Sequence, residues 1–166
     1  MKNFIFLILL LGIYSYSDDE KSTMIYLTTI ASYTKAGAAS LMGYLKMNSG
    51  VQSDYCENCF GKTGYSNQEY IEKVNDGSYS SSFFIYDGVS FGVNGWYSDL
   101  RKEELINSCR GKIWDLFCQL NYLVNEIKKI SSNVNSKLKT SDDYEDCCLE
   151  FINKFDDYDE SVKDKI

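Results

Sequence analysis

The sequence has no histidine and no proline, and it has only one long apolar run. Without histidine, serine–histidine–aspartate triads, cysteine–histidine proteases and histidine metal centres are all excluded. Carboxylate chemistry remains, because 24 Asp and Glu stand against 17 Lys and Arg, a net charge of −7. That balance argues against nucleic-acid binding, which needs a basic surface. It also opposes adhesion to anionic surfaces at neutral pH, a repulsion that fades toward the isoelectric point near 4.6. No internal repeat or low-complexity linker divides the chain.

The apolar run spans Phe4 to Ile13, preceded by Lys2 and followed by the small-x-small triplet Ser15-Tyr16-Ser17. This pattern reads as a secretory signal peptide over residues 1–17. The run is about half of the ~20 residues needed to span a bilayer, so no stable membrane anchor is expected. The chain is therefore expected to be secreted or delivered to the lumen of a digestive vacuole. Residues 18–158 have a length that suits one domain, and 159–166 form a charged C-terminal tail. The cysteines are Cys56, Cys59, Cys109, Cys118, Cys147 and Cys148, an even count that favours three disulfides in an exported domain. Cys109 and Cys118 are close enough to pair across a helix–helix turn. The adjacent Cys147 and Cys148 are expected to reach two different partners, Cys56 or Cys59 among them. A zinc site on Cys56-x-x-Cys59 is the weaker reading without histidine, so no metal or cofactor is expected.

Helical spacing dominates both ends of the chain. It predicts helices near 22–32, 35–47, 67–75, 98–108, 113–129, 131–137 and 142–155. Thr34 is a good N-cap for the second, and Gly50 a good stop. Residues 51–66 read as a loop pinned by Cys56 and Cys59, and 82–96 as a short hairpin or irregular element rich in turn glycines. Asp142, Asp143, Glu145 and Asp146 suit the N-terminus of the last helix. Arg101-Lys102 reads as a solvated helix face. The fold class is mainly α, with a small β or irregular element in the middle.

Four blocks carry a resemblance. They are Thr34 to Gly50, containing Gly37-Ala38-Ala39-Ser40-Leu41-Met42-Gly43-Tyr44-Leu45 and then Asn48-Ser49-Gly50; Gly64-Tyr65-Ser66 with Val74-Asn75-Asp76-Gly77-Ser78-Tyr79; Asp87 to Trp96 with Arg101-Lys102; and Gln119-Leu120-Asn121-Tyr122-Leu123 with Glu126. In order and spacing they resemble the phage tail lysozyme family of the lysozyme-like superfamily. The resemblance implies a peptidoglycan glycosidase whose helix-end glutamate acts as general acid, facing a Gly-Tyr-Gly-Leu-Ala-Gln-Trp wall. Here that glutamate position holds Asn48, whose amide is no general acid, and the glutamine position holds Gly95. Loss of general acid catalysis costs roughly 10²–10⁴-fold.

The resemblance therefore implies a protein that binds bacterial cell-wall glycan, as a monomer, with impaired hydrolysis. Tyr86, Phe91, Asn94, Gly95 and Trp96 are the candidate substrate-binding residues. Trp96 is either a sugar-stacking platform or core, and Tyr86, Phe91 and Tyr97 either line the cleft or pack. Glu57, Glu69, Asp76 and Asp87 are candidate substitute carboxylates, with Asp87 the best placed. Two alternatives stand beside this reading: an active muramidase using Asp87 or another carboxylate, and a non-catalytic secreted interaction protein.

Overall fold

The computed structural model describes residues 17–110 and 112–163. Apart from Ser17, the expected signal peptide lies outside them. Helix α1 (Asp18–Ile25) starts on a reciprocal capping box: Ser17 Oγ accepts from the Glu20 N–H, and Glu20 Oε2 accepts from the Ser17 N–H. It continues into a π-helical turn, Tyr26–Ile30. Helix α2 (Lys35–Ser49) follows, capped by Thr34 Oγ1, which accepts from the Gly37 N–H at 3.0 Å. Gly50 ends it in the left-handed region at φ 66°, as its sequence position predicts.

Next come β1 (Cys56–Glu57), α3 (Cys59–Thr63), α4 (Asn67–Asn75), α5 (Ser81–Tyr86) and β2 (Ser90–Phe91). The chain then continues with α6 (Asp99–Cys109), α7 (Leu116–Ile130), α8 (Ser132–Thr140) and α9 (Tyr144–Lys163). The molecule is thus mainly helical. Its two short strands pair antiparallel, with Cys56 opposite Phe91 and Glu57 opposite Ser90.

Three segments differ from the sequence expectation. Residues 82–96 do not form a hairpin throughout, because Ser80 Oγ accepts from the Phe83 N–H and starts a short helix. Only the stretch after it is extended, where Phe91 bridges Trp96 across a tight turn. The partner of that stretch is β1, which comes from the segment expected to be a loop. The last helix also runs past residue 155 to Lys163, so most of the expected tail is helical.

Helix α7 lies in the core through Leu120, Leu123, Val124 and Ile127, although Phe117 on the same predicted stripe is exposed. Helix α2 contributes Ala38, Leu41 and Leu45 and packs along α9 and against α8. Gly37 permits the α2–α8 contact: a Cβ there would stand 2.2 Å from the Leu138 carbonyl oxygen. That same carbonyl accepts from the Thr34 N–H at 3.0 Å.

The disulfides are Cys56–Cys59 and Cys109–Cys118. The second matches expectation. The expected bonds from Cys147 and Cys148 do not form, because Cys56 and Cys59 satisfy each other and leave both as thiols on α9. Among the described residues no helix is long and apolar enough to cross a membrane.

Candidate functional site

The C-terminal end of α2 meets the Gly92–Gly95 turn through a specific set of bonds. Ser49 Oγ donates to the Val93 carbonyl at 2.5 Å and accepts from the Val51 N–H at 3.2 Å. The buried Gln119 of α7 holds the other side of the turn, its Oε1 accepting from the Val93 N–H at 2.7 Å. Its Nε2 donates to the carbonyls of Ser53 and Ile113 at 2.7 and 2.6 Å. One side chain therefore ties the turn to the segment leaving α2. Gly92 is required beneath it, since at φ 78° a Cβ would come within 2.8 Å of Gln119 Oε1.

Val51 adds strain at the same place. It sits at φ 62°, a region that a β-branched residue occupies at a cost on the order of 1–3 kcal/mol. It is fully buried, so the surrounding packing fixes this conformation.

Asn48 and Gly95, the two departures from the resembled pattern, are brought together. A Cβ on Gly95 would lie 3.8 Å from the Asn48 carbonyl oxygen, and both residues are half-buried. Asn94, between Val93 and Gly95, is 3% exposed, and neither amide atom of its side chain has a hydrogen-bond partner. Leaving such a group unpaired costs about 1–3 kcal/mol.

The other candidates divide between core and surface. Trp96 and Phe91 are fully buried, which corrects their assignment as ligand contacts. Trp96 packs on Tyr122 at a ring separation of 5.2 Å and donates from Nε1 to Glu126. Phe91 stacks edge-on against Phe84 and Tyr70. Tyr86 and Tyr97 are exposed, at 72% and 48%. Tyr97 and Lys62 converge beside Gly88, at 4.0 and 3.8 Å from where its Cβ would be.

Asp87 occupies a different environment from that of a general acid. Its buried carboxylate is ion-paired with Lys102, accepts from the Tyr70 hydroxyl at 2.8 Å and accepts from the Val89 N–H at 2.8 Å. Burial pushes the Lys102 ammonium below the ordinary lysine value, while Asp87 pulls it back. Burial, followed by the Asp87 charge, raises the Tyr70 phenol and pushes that of Tyr79 up to about 12.

Two other candidate carboxylates have local work as well. Glu69 completes the capping box of α4 with Ser66, and Asp76 accepts from the Ser78 N–H. Glu57 is exposed on β1.

Arg101 and Lys102 are buried at 3% and 0% exposure, which corrects the expectation of a solvated face. Arg101 forms a two-pronged pair with Glu126, at 2.6 Å from Nε and 2.9 Å from Nη2. The sequence pattern does not single out Gln119, Ser49 or Val51 as organisers of the site. Gln119 is visible there only as part of the fourth block. No protein-family profile, curated protein or solved structure matches this chain.

Proposed function

We propose that this is an exported phage-tail-lysozyme-like domain that binds bacterial cell-wall glycan and hydrolyses it poorly. The observation that supports this reading is the proximity of the Gly95 turn to the backbone carbonyl of Asn48. The two positions that depart from the resembled pattern lie 47 residues apart in sequence yet are close at the end of α2, where a Cβ on Gly95 would stand 3.8 Å from the Asn48 carbonyl oxygen. Around them the scaffold is elaborately specified, by Ser49, Gln119, the strained Val51 and the required glycine at Gly92. A scaffold that has kept this order while losing its proton donor suits recognition more than cleavage.

The engaged state of Asp87 speaks against the muramidase alternative that uses it, since its oxygens already accept from Lys102, Tyr70 and Val89. Export fits the two disulfides. Reinstalling the acid tests the reading. Asn48→Glu, alone and with Gly95→Gln, is expected to release soluble muropeptides from insoluble peptidoglycan at least about 10²-fold faster than the parent. A folded double variant that binds the polymer but gives no such gain would remove the lysozyme-like interpretation of the α2 terminus.

A further inference from the structure

We infer that the groove between α6 and α7 binds a small zwitterion of the free α-amino acid class. The groove stands apart from the α2 terminus, so the assignment does not depend on the glycan-binding reading. It holds a cavity of about 230 Å³. Packed helices normally face each other with apolar residues. Here α6 presents Glu104, Asn107 and Ser108 at helical spacing, and α7 presents Asn125 and Lys129 one turn apart. Such a lining disfavours an apolar ligand.

The floor of the groove is built, and its rim is open to solvent. Tyr122 and Glu126 form the floor and are 4% and 2% exposed. Arg101 and Trp96 already occupy the Glu126 carboxylate, and the Tyr122 hydroxyl donates to the Arg101 carbonyl at 3.1 Å. These groups fix the shape and leave recognition to the rim. There Lys129 Nζ donates to Glu104 Oε1 at 2.5 Å, with side chains 62% and 45% exposed. Glu104 Oε2 lies 3.4 Å from the Tyr122 hydroxyl, so the carboxylate is steadied from both sides.

The opposite charges at the rim select the ligand. A lone carboxylate would gain Lys129 but meet Glu104, and a lone ammonium would gain Glu104 but meet Lys129. A zwitterion lies antiparallel to the pair, its ammonium on Glu104 and its carboxylate on Lys129. One exposed ion pair is then exchanged for two, and an exposed pair costs little to open. The amides of Asn107 and Asn125 and the Ser108 hydroxyl can each donate and accept, so they can bond either end.

The test titrates glycine into isotope-labelled protein and follows the backbone amide shifts, with acetate and methylammonium as its separate charged halves. Glycine is expected to shift amides of α6 and α7 saturably. It should bind at least about tenfold more tightly than either half, the scale of one hydrogen bond to a charged group. Glu104→Gln and Lys129→Gln alter an exposed pair, so both should fold as the parent does. Each is expected to weaken glycine binding at least about tenfold. Glu104→Gln should also bind acetate more tightly than the parent does, and Lys129→Gln methylammonium, because each variant loses the opposing charge. Either half binding as tightly as glycine would overturn the assignment. So would the absence of a saturable shift with glycine, or glycine binding that both variants retain.

Discussion

Asp87 lies 15 residues before Lys102, and Glu126 lies 25 residues after Arg101, so neither ion pair can be seen in a local window of sequence. Read locally, Arg101-Lys102 looks like a wet helix face, and Asp87-Gly88 looks like turn chemistry with a free carboxylate. Folding brings both basic groups inside, where a charge is tolerated only with a partner. Asp87→Asn is therefore expected to destabilise the protein by about 3–5 kcal/mol in urea unfolding, the cost of stranding a buried charge. A loss under about 1 kcal/mol would mean that Lys102 finds water or another acceptor. Trp96 and Phe91 follow the same logic: local sequence leaves both between platform and core, and long-range packing against Tyr122, Tyr70 and Phe84 decides for core. Cysteine pairing is legible at Cys109 and Cys118, nine residues apart across a helix–helix turn, but not at Cys56 and Cys59, three apart.

Helix α2 is the most readable element, because its signals are local. Thr34 caps it, Gly50 stops it, and Ala38, Leu41 and Leu45 recur at helical spacing on the buried side. Helix α4 is likewise expected over 67–75, and the structure adds a capping box of Ser66 and Glu69 at its start. Helix α5 escapes a reading by composition because the aromatic run Phe83-Phe84-Ile85-Tyr86 is strand-like, and the Ser80 cap outweighs it. The requirement for Gly37 is equally invisible, since Leu138 lies 101 positions away. Gly37→Ala would push a methyl into the Leu138 carbonyl and force α2 and α8 apart. We expect a loss of at least about 1–3 kcal/mol, against the gain that alanine normally gives inside a helix. An unchanged or raised unfolding midpoint would refute the close crossing.

At the scale of the whole molecule, the aromatic composition becomes a pH response. Burial raises the phenols of Tyr33, Tyr70 and Tyr122 well above the ordinary value of 10.0. The folded state therefore holds these protons more tightly than the unfolded chain. Their contribution is fully present below pH 10.0 and is lost as the pH rises above it toward the folded values. Alkaline titration is expected to show part of the tyrosinate absorbance appearing together with the loss of helical circular dichroism. Smooth ionisation of all tyrosines near 10.0 with the helix signal intact would contradict the burial of these three.

The fold thus supplies a rigid, acidic, helical frame whose α2 terminus and Gly92–Gly95 turn form one specified junction. In the function proposed above, this junction holds glycan without cutting it. The decisive experiment incubates the parent protein with purified insoluble peptidoglycan, then records both the fraction sedimented and the reducing ends released. We expect saturable sedimentation, with release at least about 10²-fold below that of the Asn48→Glu, Gly95→Gln variant. Rapid release of reducing ends by the parent, or no sedimentation at any polymer concentration, would contradict it.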